Sequence, residues 1–231
     1  MMKIEIWSDY ACPFCFIGKR RLESALAELD MKNQVDIEWK SFELDPNAPA
    51  KIEESMDELL ASKYGMTVEQ AKGMSAQVAQ TAATDGLNYR MDAIKPANTF
   101  NAHRLTHHAL TEGVELSETL FRAYFEQGEN LNDSETLLRL AKEAGLSPEK
   151  TAEVLAGDAF AEAVRKDESE ASEIGVQGVP FFVFDRKYAV SGAQPVEAFV
   201  QVIEKRLAEQ ETDKPQLLSS ADACGTDGCT F

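Results

Sequence analysis

Apolar and polar residues alternate over residues 3–8, with Ile4 and Ile6 set against Lys3 and Glu5 and Trp7 close behind. That period of two predicts a strand. Over residues 16–29 the period lengthens: Ile17, Leu22, Ala25, Leu26 and Leu29 recur roughly every three to four positions, which predicts a helix. Alternation returns over residues 35–42, with Val35, Ile37 and Trp39 on one side, until Pro46 and Pro49 end it. From about residue 51 to 157 the period is helical. Ser134 opens one helix that Gly145 closes, and Ser147-Pro148-Glu149 opens another that Gly157 closes. Pro96 precedes a further start at Asn98-Thr99. Residues 158–174 read as one more helix, with Phe160, Ala163, Val164, Ala171 and Ile174 on its apolar side. Residues 178–184 are strand-like, Asp185-Arg186 is a turn, Tyr188 to Ser191 is a partner strand, and Pro195 opens a last helix through Leu207. The predicted order is β-α-β, a helical block, then α-β-β-α. Residues 210–231 carry no period and read as a tail.

Composition narrows what such a chain can do. Lys and Arg number 23 against 40 Asp and Glu, a net charge of −17 over 231 residues. A nucleic-acid binder needs a basic footprint, so nucleic acid is excluded as a partner, and docking on an anionic membrane is disfavoured. With 44% hydrophobic and 27% charged residues, usage is that of a globular protein. No run is long enough for a signal peptide or a membrane span, so the expected location is the cytoplasm. Four cysteines are too few for a disulfide-stapled scaffold.

Their positions carry more than their number. Cys12-Pro13-Phe14-Cys15 lies where the first strand passes into the first helix, the redox setting of a C-x-x-C pair. At a helix start the unpaired N–H groups and the helix dipole stabilise a thiolate, the form that attacks disulfides. Cys12 is therefore the candidate nucleophile, and Cys15, one turn inward, can resolve the mixed disulfide. Pro13 suits the first helical turn, where its missing N–H has no partner to lose. A zinc site completed by Cys224 and Cys229 is the bland alternative, but zinc pairs sit on knuckles and loops and not at the mouth of a long apolar helix. No metal and no organic cofactor are expected. Pro180, within Gly178-Val179-Pro180, leads the later strand, a place where a strand tolerates proline.

Three blocks resemble the DsbA-like thioredoxin superfamily, and specifically its FrnE subgroup. They are Cys12-Pro13-Phe14-Cys15-Phe16-Ile17-Gly18-Lys19-Arg20-Arg21-Leu22-Glu23, Asn98-Thr99-Phe100-Asn101-Ala102-His103-Arg104-Leu105 and Gly175-Val176-Gln177-Gly178-Val179-Pro180-Phe181-Phe182. The resemblance implies an α/β thioredoxin fold with a large all-helical domain inserted between the β-α-β and α-β-β-α parts. Residues 1–47 and 158–209 would form the thioredoxin-like domain, 48–157 the insertion, and 210–231 a flexible tail. It also implies dithiol–disulfide exchange on protein thiols or disulfides by Cys12 and Cys15. A cis Pro180 would follow Val179, whose backbone would align an extended substrate, and Pro13 and Phe14 would tune the potential. Glutathione is a further candidate partner, because kappa-class glutathione transferases and hydroxychromene-carboxylate isomerases share the inserted-helix fold. Those proteins carry serine where Cys12 stands, which favours the redox activity here. A different class of alternative is a non-catalytic adaptor with the cysteines as a redox switch.

Some relatives in the FrnE subgroup carry a second C-terminal cysteine pair, and here Cys224-Gly225-Thr226-Asp227-Gly228-Cys229 is the counterpart. The stretch from Gln210 to Ala223 could span about 45 Å when extended, enough to bring Cys224 or Cys229 to the Cys12–Cys15 pair as a relay. His103 and His107 share a helix face at a spacing that can bind zinc, but no glutamate lies between them, and structural roles are expected. The run Asp167-Glu168-Ser169-Glu170 reads as a solvated face. Met56, Met66, Met74 and Met91 read as irregular core filling.

Overall fold

The computed structural model describes residues 1–49 and 52–212. Four strands form one sheet in the order β2-β1-β3-β4. β1 (Met2–Ser8) is central: it pairs in parallel with β2 (Val35–Ser41), Ile4 opposite Ile37, and antiparallel with β3 (Phe181–Phe184), Ile6 opposite Phe182. β4 (Tyr188–Ser191) closes the edge, joined to β3 through a turn in which Asp185 and Arg186 both take positive φ. That backbone twist suits a tight hairpin. The parallel β1–β2 pair requires a crossover, which α1 (Pro13–Glu28) supplies.

The alternation in β1 has a different meaning from a half-buried strand, because both of its faces are covered. Met2, Ile4 and Ile6 join α1, Phe182, Phe184 and the helix α9 (Val196–Thr212) in the larger core, while Trp7 faces Ala171, Val176 and Val183 on the other side. Glu5 shares that second face and is 2% exposed, held by Arg186 and Lys3. The helix over it is α8 (Ala161–Glu173).

Between β2 and α8 run α2 (Met56–Tyr64), α3 (Val68–Thr84), a 3-10 turn at Met91–Ala93, α4 (Phe100–Thr111), α5 (Ser117–Arg122) passing into a π-turn at Ala123–Gln127, α6 (Ser134–Glu143) and α7 (Pro148–Ala156). Ser55 and Thr67 build capping boxes with Glu58 and Gln70, and Asp133 and Ser147 cap α6 and α7. The core does not stop at the sheet. One continuous apolar cluster runs from Ile4 and Phe16 to Leu120, Phe121 and Leu137. This is a thioredoxin fold carrying helices between its two parts, as the three sequence blocks imply.

Several boundaries differ from the sequence expectation for local reasons. α1 starts at Pro13 and not at residue 16, because proline's fixed φ fits the first turn. α8 starts at Ala161 and not at 158, because Phe160 takes a left-handed φ of 65° that no helix admits. Ile174, placed on the apolar side, is exposed just past the end of α8. β3 begins at Phe181 because the chain reaches it through proline, which has no N–H for the ladder. α9 continues to Thr212, three residues into what the sequence presents as tail.

Candidate active site

Asp9-Tyr10-Ala11 turn the chain from β1 into α1, and the Asp9 and Tyr10 side chains hold the turn. Cys12 N–H donates to Asp9 O at 3.0 Å and Ala11 N–H to Asp9 Oδ1 at 3.2 Å, so the aspartate shapes the turn from backbone and side chain together. Asp9 Oδ2 accepts from Leu44 N–H at 2.7 Å, fixing the segment after β2 to the same carboxylate. Tyr10 is buried, with its hydroxyl 2.6 Å from Thr106 Oγ1 and its ring 5.0 Å from both His103 and Phe121. The turn is thereby anchored to α4 and α5.

Cys12 occupies the N-cap of α1 in extended conformation, and the first helical turn contains no acidic side chain. Cys15 follows one turn in. Both are free thiols, 5% and 1% exposed. Burial pushes the Cys15 thiol well above its ordinary range, and Cys12 beside it adds to the effect; the Ser8 hydroxyl and the Asp9 backbone N–H oppose it. The Val179–Pro180 peptide bond is cis, and Cys12 Sγ lies 3.5 Å from Val179 O as donor to that carbonyl. Cys12, Cys15, Val179 and Pro180, 164 or more positions apart across the chain, thus meet at one point. Phe14 is 43% exposed, an apolar ring in solvent beside the pair. Pro13 O accepts from the Tyr89 hydroxyl at 2.7 Å. Cys224 and Cys229 lie outside the described residues.

The motif after Cys15 has structural reasons that spacing does not disclose. A Cβ at Gly18 would stand 3.0 Å from Phe182 Cζ and 3.1 Å from Pro180 Cγ, so glycine lets α1 approach the proline. Phe16 stacks on Phe121 at 5.1 Å and on Tyr89 at 6.1 Å, and Tyr89 in turn stacks on Phe125 at 4.7 Å. Lys19 pairs with Glu23 at 2.5 Å and Glu118 at 2.7 Å, and Arg20 pairs with the same two carboxylates. Arg21 grips Asp85 and donates to Ala193 O at 2.6 Å. Within four residues, α1 is tied to the proline loop, to α5 and to the end of α3. Tyr89 escaped the sequence analysis because it lies in a segment without periodicity; its partners are 76 and 73 positions away at Pro13 and Phe16.

Buried acids lie behind the pair. Asp9 is 2% exposed; burial raises its carboxyl, yet His103 and the Leu44 N–H hold it below the usual carboxylate range. His103 Nε2 is 3.5 Å from Asp9 Oδ1 and makes no hydrogen bond. Glu43 accepts from Arg165 at 2.5 Å, and burial pushes its carboxyl up despite that partner. One turn along α4, His107 Nε2 stands 3.1 Å from Asp167 Oδ2. Asp167 corrects the sequence expectation of a solvated face: it is 3% exposed, accepts from Ser41 N–H at 2.9 Å, lies 3.2 Å from Lys40 Nζ, and takes the Trp7 indole N–H on its backbone oxygen. Its partners are all long-range, which is why the acidic run concealed it. Arg104, also buried, caps α7 by donating to Gly157 O at 2.6 Å and reaches Ala159 O at 2.9 Å.

Comparisons with known proteins agree with this geometry. A probable DsbA oxidoreductase from Streptomyces coelicolor is similar to the chain at 42% identity, with a TM-score of 0.87 and coverage of 100% of this chain and 99% of that one. The uncharacterized protein YwbO of Bacillus subtilis is 27% identical over 215 residues, 91% of this chain and 98% of its own. The cytosolic disulfide reductase DsbM of Pseudomonas aeruginosa, solved with GSH, shares the fold at 17% identity and a TM-score of 0.57, covering 89% and 99%. The DSBA-like thioredoxin domain model matches residues 3–204, from the first strand to the last helix. With a cysteine pair at the mouth of α1 and a cis proline against it, the chain belongs to the DSBA-like thioredoxin domain family.

Proposed function

We propose that the chain is a cytoplasmic protein dithiol–disulfide oxidoreductase or isomerase of the FrnE subgroup, working through Cys12-Pro13-Phe14-Cys15. The observation that carries the proposal is the placement of Cys12 at the N-cap of α1, its sulfur 3.5 Å from the carbonyl of Val179 in the cis Val179–Pro180 peptide. A helix N-terminus favours a negative charge, so Cys12 is the attacking thiolate, and the deeply buried Cys15 is the resolving thiol, drawn on once Cys12 is bonded to substrate. The backbone at Val179 aligns an extended protein substrate by strand addition. Pro13 and Phe14 tune the potential, and the exposed Phe14 ring adds an apolar contact for the substrate.

DsbA-type pairs range up to strongly oxidising potentials, about −120 mV against about −270 mV for thioredoxin. In a reducing cytosol such a pair stands reduced, which fits reductase or isomerase work. Glutathione is the proposed small-molecule partner, supported by the DsbM relative solved with GSH. The domain division proposed is 1–47 with 158–209 around an insertion at 48–157. Cys224 and Cys229 are proposed as a relay pair. A chain ending at Pro215 is then expected to show altered potential and turnover; unchanged values would remove the relay. The main proposal is tested by insulin reduction: activity in the wild type and none in C12S is expected, and activity retained in C12S would overturn it.

A further inference from the structure

Tyr89 lies between α3 and the 3-10 turn, and its backbone is held on both sides. Asn88 N–H donates to Glu126 Oε1 at 3.0 Å, and Arg90 N–H donates to Phe125 O at 2.8 Å. Its ring stacks on Phe125 at 4.7 Å and on Phe16 at 6.1 Å. Held at backbone and ring, the side chain delivers its hydroxyl to Pro13 O, to which it donates at 2.7 Å. Pro13 does not need that bond, because the carbonyl of the first residue of α1 already faces the N–H four positions on. The other end of the same peptide group is the Phe14 N–H, and it gives the bond a reason. Among the described residues the Phe14 N–H has no acceptor, while the next donor, Cys15 N–H, is engaged with Cys12 O at 3.1 Å. An N-cap side chain takes the N–H of the second or third helical residue. With the third engaged, the Phe14 N–H is the donor left for the sulfur of Cys12, the N-cap of α1.

We infer that Tyr89 is a positioning residue for the attacking sulfur: it fixes and polarises the Pro13–Phe14 peptide, so that the Phe14 N–H serves Cys12 Sγ once the thiol has lost its proton. This role rests on the exchange activity proposed above. In the thiol form Cys12 Sγ donates to Val179 O at 3.5 Å. The thiolate has no proton to donate and takes a donor in its turn. A hydrogen bond accepted at a peptide oxygen strengthens the donor at its nitrogen, on the order of 10–30% per bond. Tyr89 keeps its own proton, because burial, followed by Cys12 and Cys15, pushes its hydroxyl far above the ordinary range. The other charged groups that bear on this hydroxyl are engaged elsewhere. Glu126 pairs with Arg122 at 3.0 Å, and Arg20 pairs with Glu23 at 2.6 Å and lies over the Phe16 ring. The first turn of α1 adds no acid to oppose the anion. No bond to Tyr89 forms or breaks during exchange, and the electrons pass only between sulfurs. The tyrosine couples the helical block to the chemistry through one peptide group.

The test uses the reduced full-length chain carrying C224S and C229S, alkylated with iodoacetamide across a pH series, with the adduct mapped to Cys12 by mass spectrometry. The midpoint of the rate reports thiolate formation, and the plateau at high pH reports access to the sulfur. Y89F keeps the ring and loses the hydroxyl. Its midpoint is expected to rise by about half a pH unit, roughly a threefold loss of thiolate below the midpoint, with the plateau no lower. A role in packing alone would change the plateau or the stability and leave the midpoint in place. Y188F loses a hydroxyl bonded to Glu209 on the β4 edge and should match the intact chain in midpoint and plateau. A Y89F midpoint equal to that of the intact chain would overturn the role of Tyr89, as would an equal rise in Y188F. Attack on a peptide disulfide by the same proteins should slow in Y89F by the same factor below the midpoint. A Tyr89-intact chain whose Cys12 alkylates but attacks no peptide disulfide would instead overturn the exchange activity, and the role of Tyr89 in it.

Discussion

α4 presents two histidines one turn apart to two buried aspartates, and the two pairs are built differently. His107 and Asp167 form a saturated junction: the carboxylate meets His107, Ser41 N–H and Lys40, and the Trp7 indole takes the backbone oxygen. His103 and Asp9 stand 3.5 Å apart with Nε2 unpartnered. Ser8 Oγ, next to Asp9 in the chain, and Glu43 Oε1 and Tyr124 OH, which interact electrostatically with His103 and Asp9 respectively, are each buried and each without a hydrogen bond. Saturated polar networks hold a fold together, whereas unsatisfied ones persist where some other state of the molecule needs them. The first pair therefore marks structure, clamping α8 and α4 to the sheet. The second lies behind the cysteine turn and marks the reactive end.

Substitutions on each side separate the two roles. D167A leaves Lys40, His107 and Ser41 without their shared acceptor and is expected to cost about 3 kcal/mol or more in urea unfolding, the scale for one side of a broken buried pair. Exchange by the folded fraction should be unchanged. H103A breaks no hydrogen bond at Nε2 and should cost less, about 1–2 kcal/mol, yet alter the exchange rate. Equal stability losses with equal activity would dissolve the contrast. G18A forces a Cβ against Pro180 and Phe182 and is expected to destabilise by about 1–3 kcal/mol, as overpacking does, with slower exchange because α1 is pushed from the proline loop. Y89F removes the bond to Pro13 O and should cost about 1 kcal/mol, read from the shift in the unfolding midpoint at constant slope.

Acid offers the mildest probe. The Asp9 and Asp167 carboxyls both lie below the usual range in the folded protein. A depressed carboxylate contributes stability that is complete above its unfolded pKa, about 4, and is lost as pH falls through the folded value. Stability should therefore decline below about pH 4, and D167A should decline less steeply than the wild type across that range.

What could be read from the chain alone was whatever short range decides. The helix signals at Ser147-Pro148 and Gly157, the hairpin at Asp185-Arg186 and the Cys12–Cys15 spacing each lie within a few residues, and each stands where local chemistry put it. The thioredoxin fold with its inserted helices followed from the order of elements together with three motif blocks. Asp167 was illegible because its neighbours in sequence are charged while its partners in space are 60 to 160 positions away. Gly18 and Tyr89 were illegible for the same reason: a glycine declares a close approach only when the approaching proline is seen, and a tyrosine in an aperiodic stretch has no face to predict. Phe160 shows the opposite limit. Its apolar side chain fits the helical stripe, and its backbone breaks the helix.

The central claim is an asymmetry between two sulfurs: Cys12 attacks and Cys15 resolves. It is tested most directly by trapping. The wild type, C12S and C15S, each in the full-length chain with C224S and C229S, are mixed with a peptide disulfide, quenched by alkylation and mapped by mass spectrometry. The expected result is a stable peptide adduct on Cys12 in C15S, no adduct in C12S, and a Cys12–Cys15 disulfide with free peptide thiol in the wild type. An adduct carried by Cys15, or exchange surviving in C12S, would contradict the account.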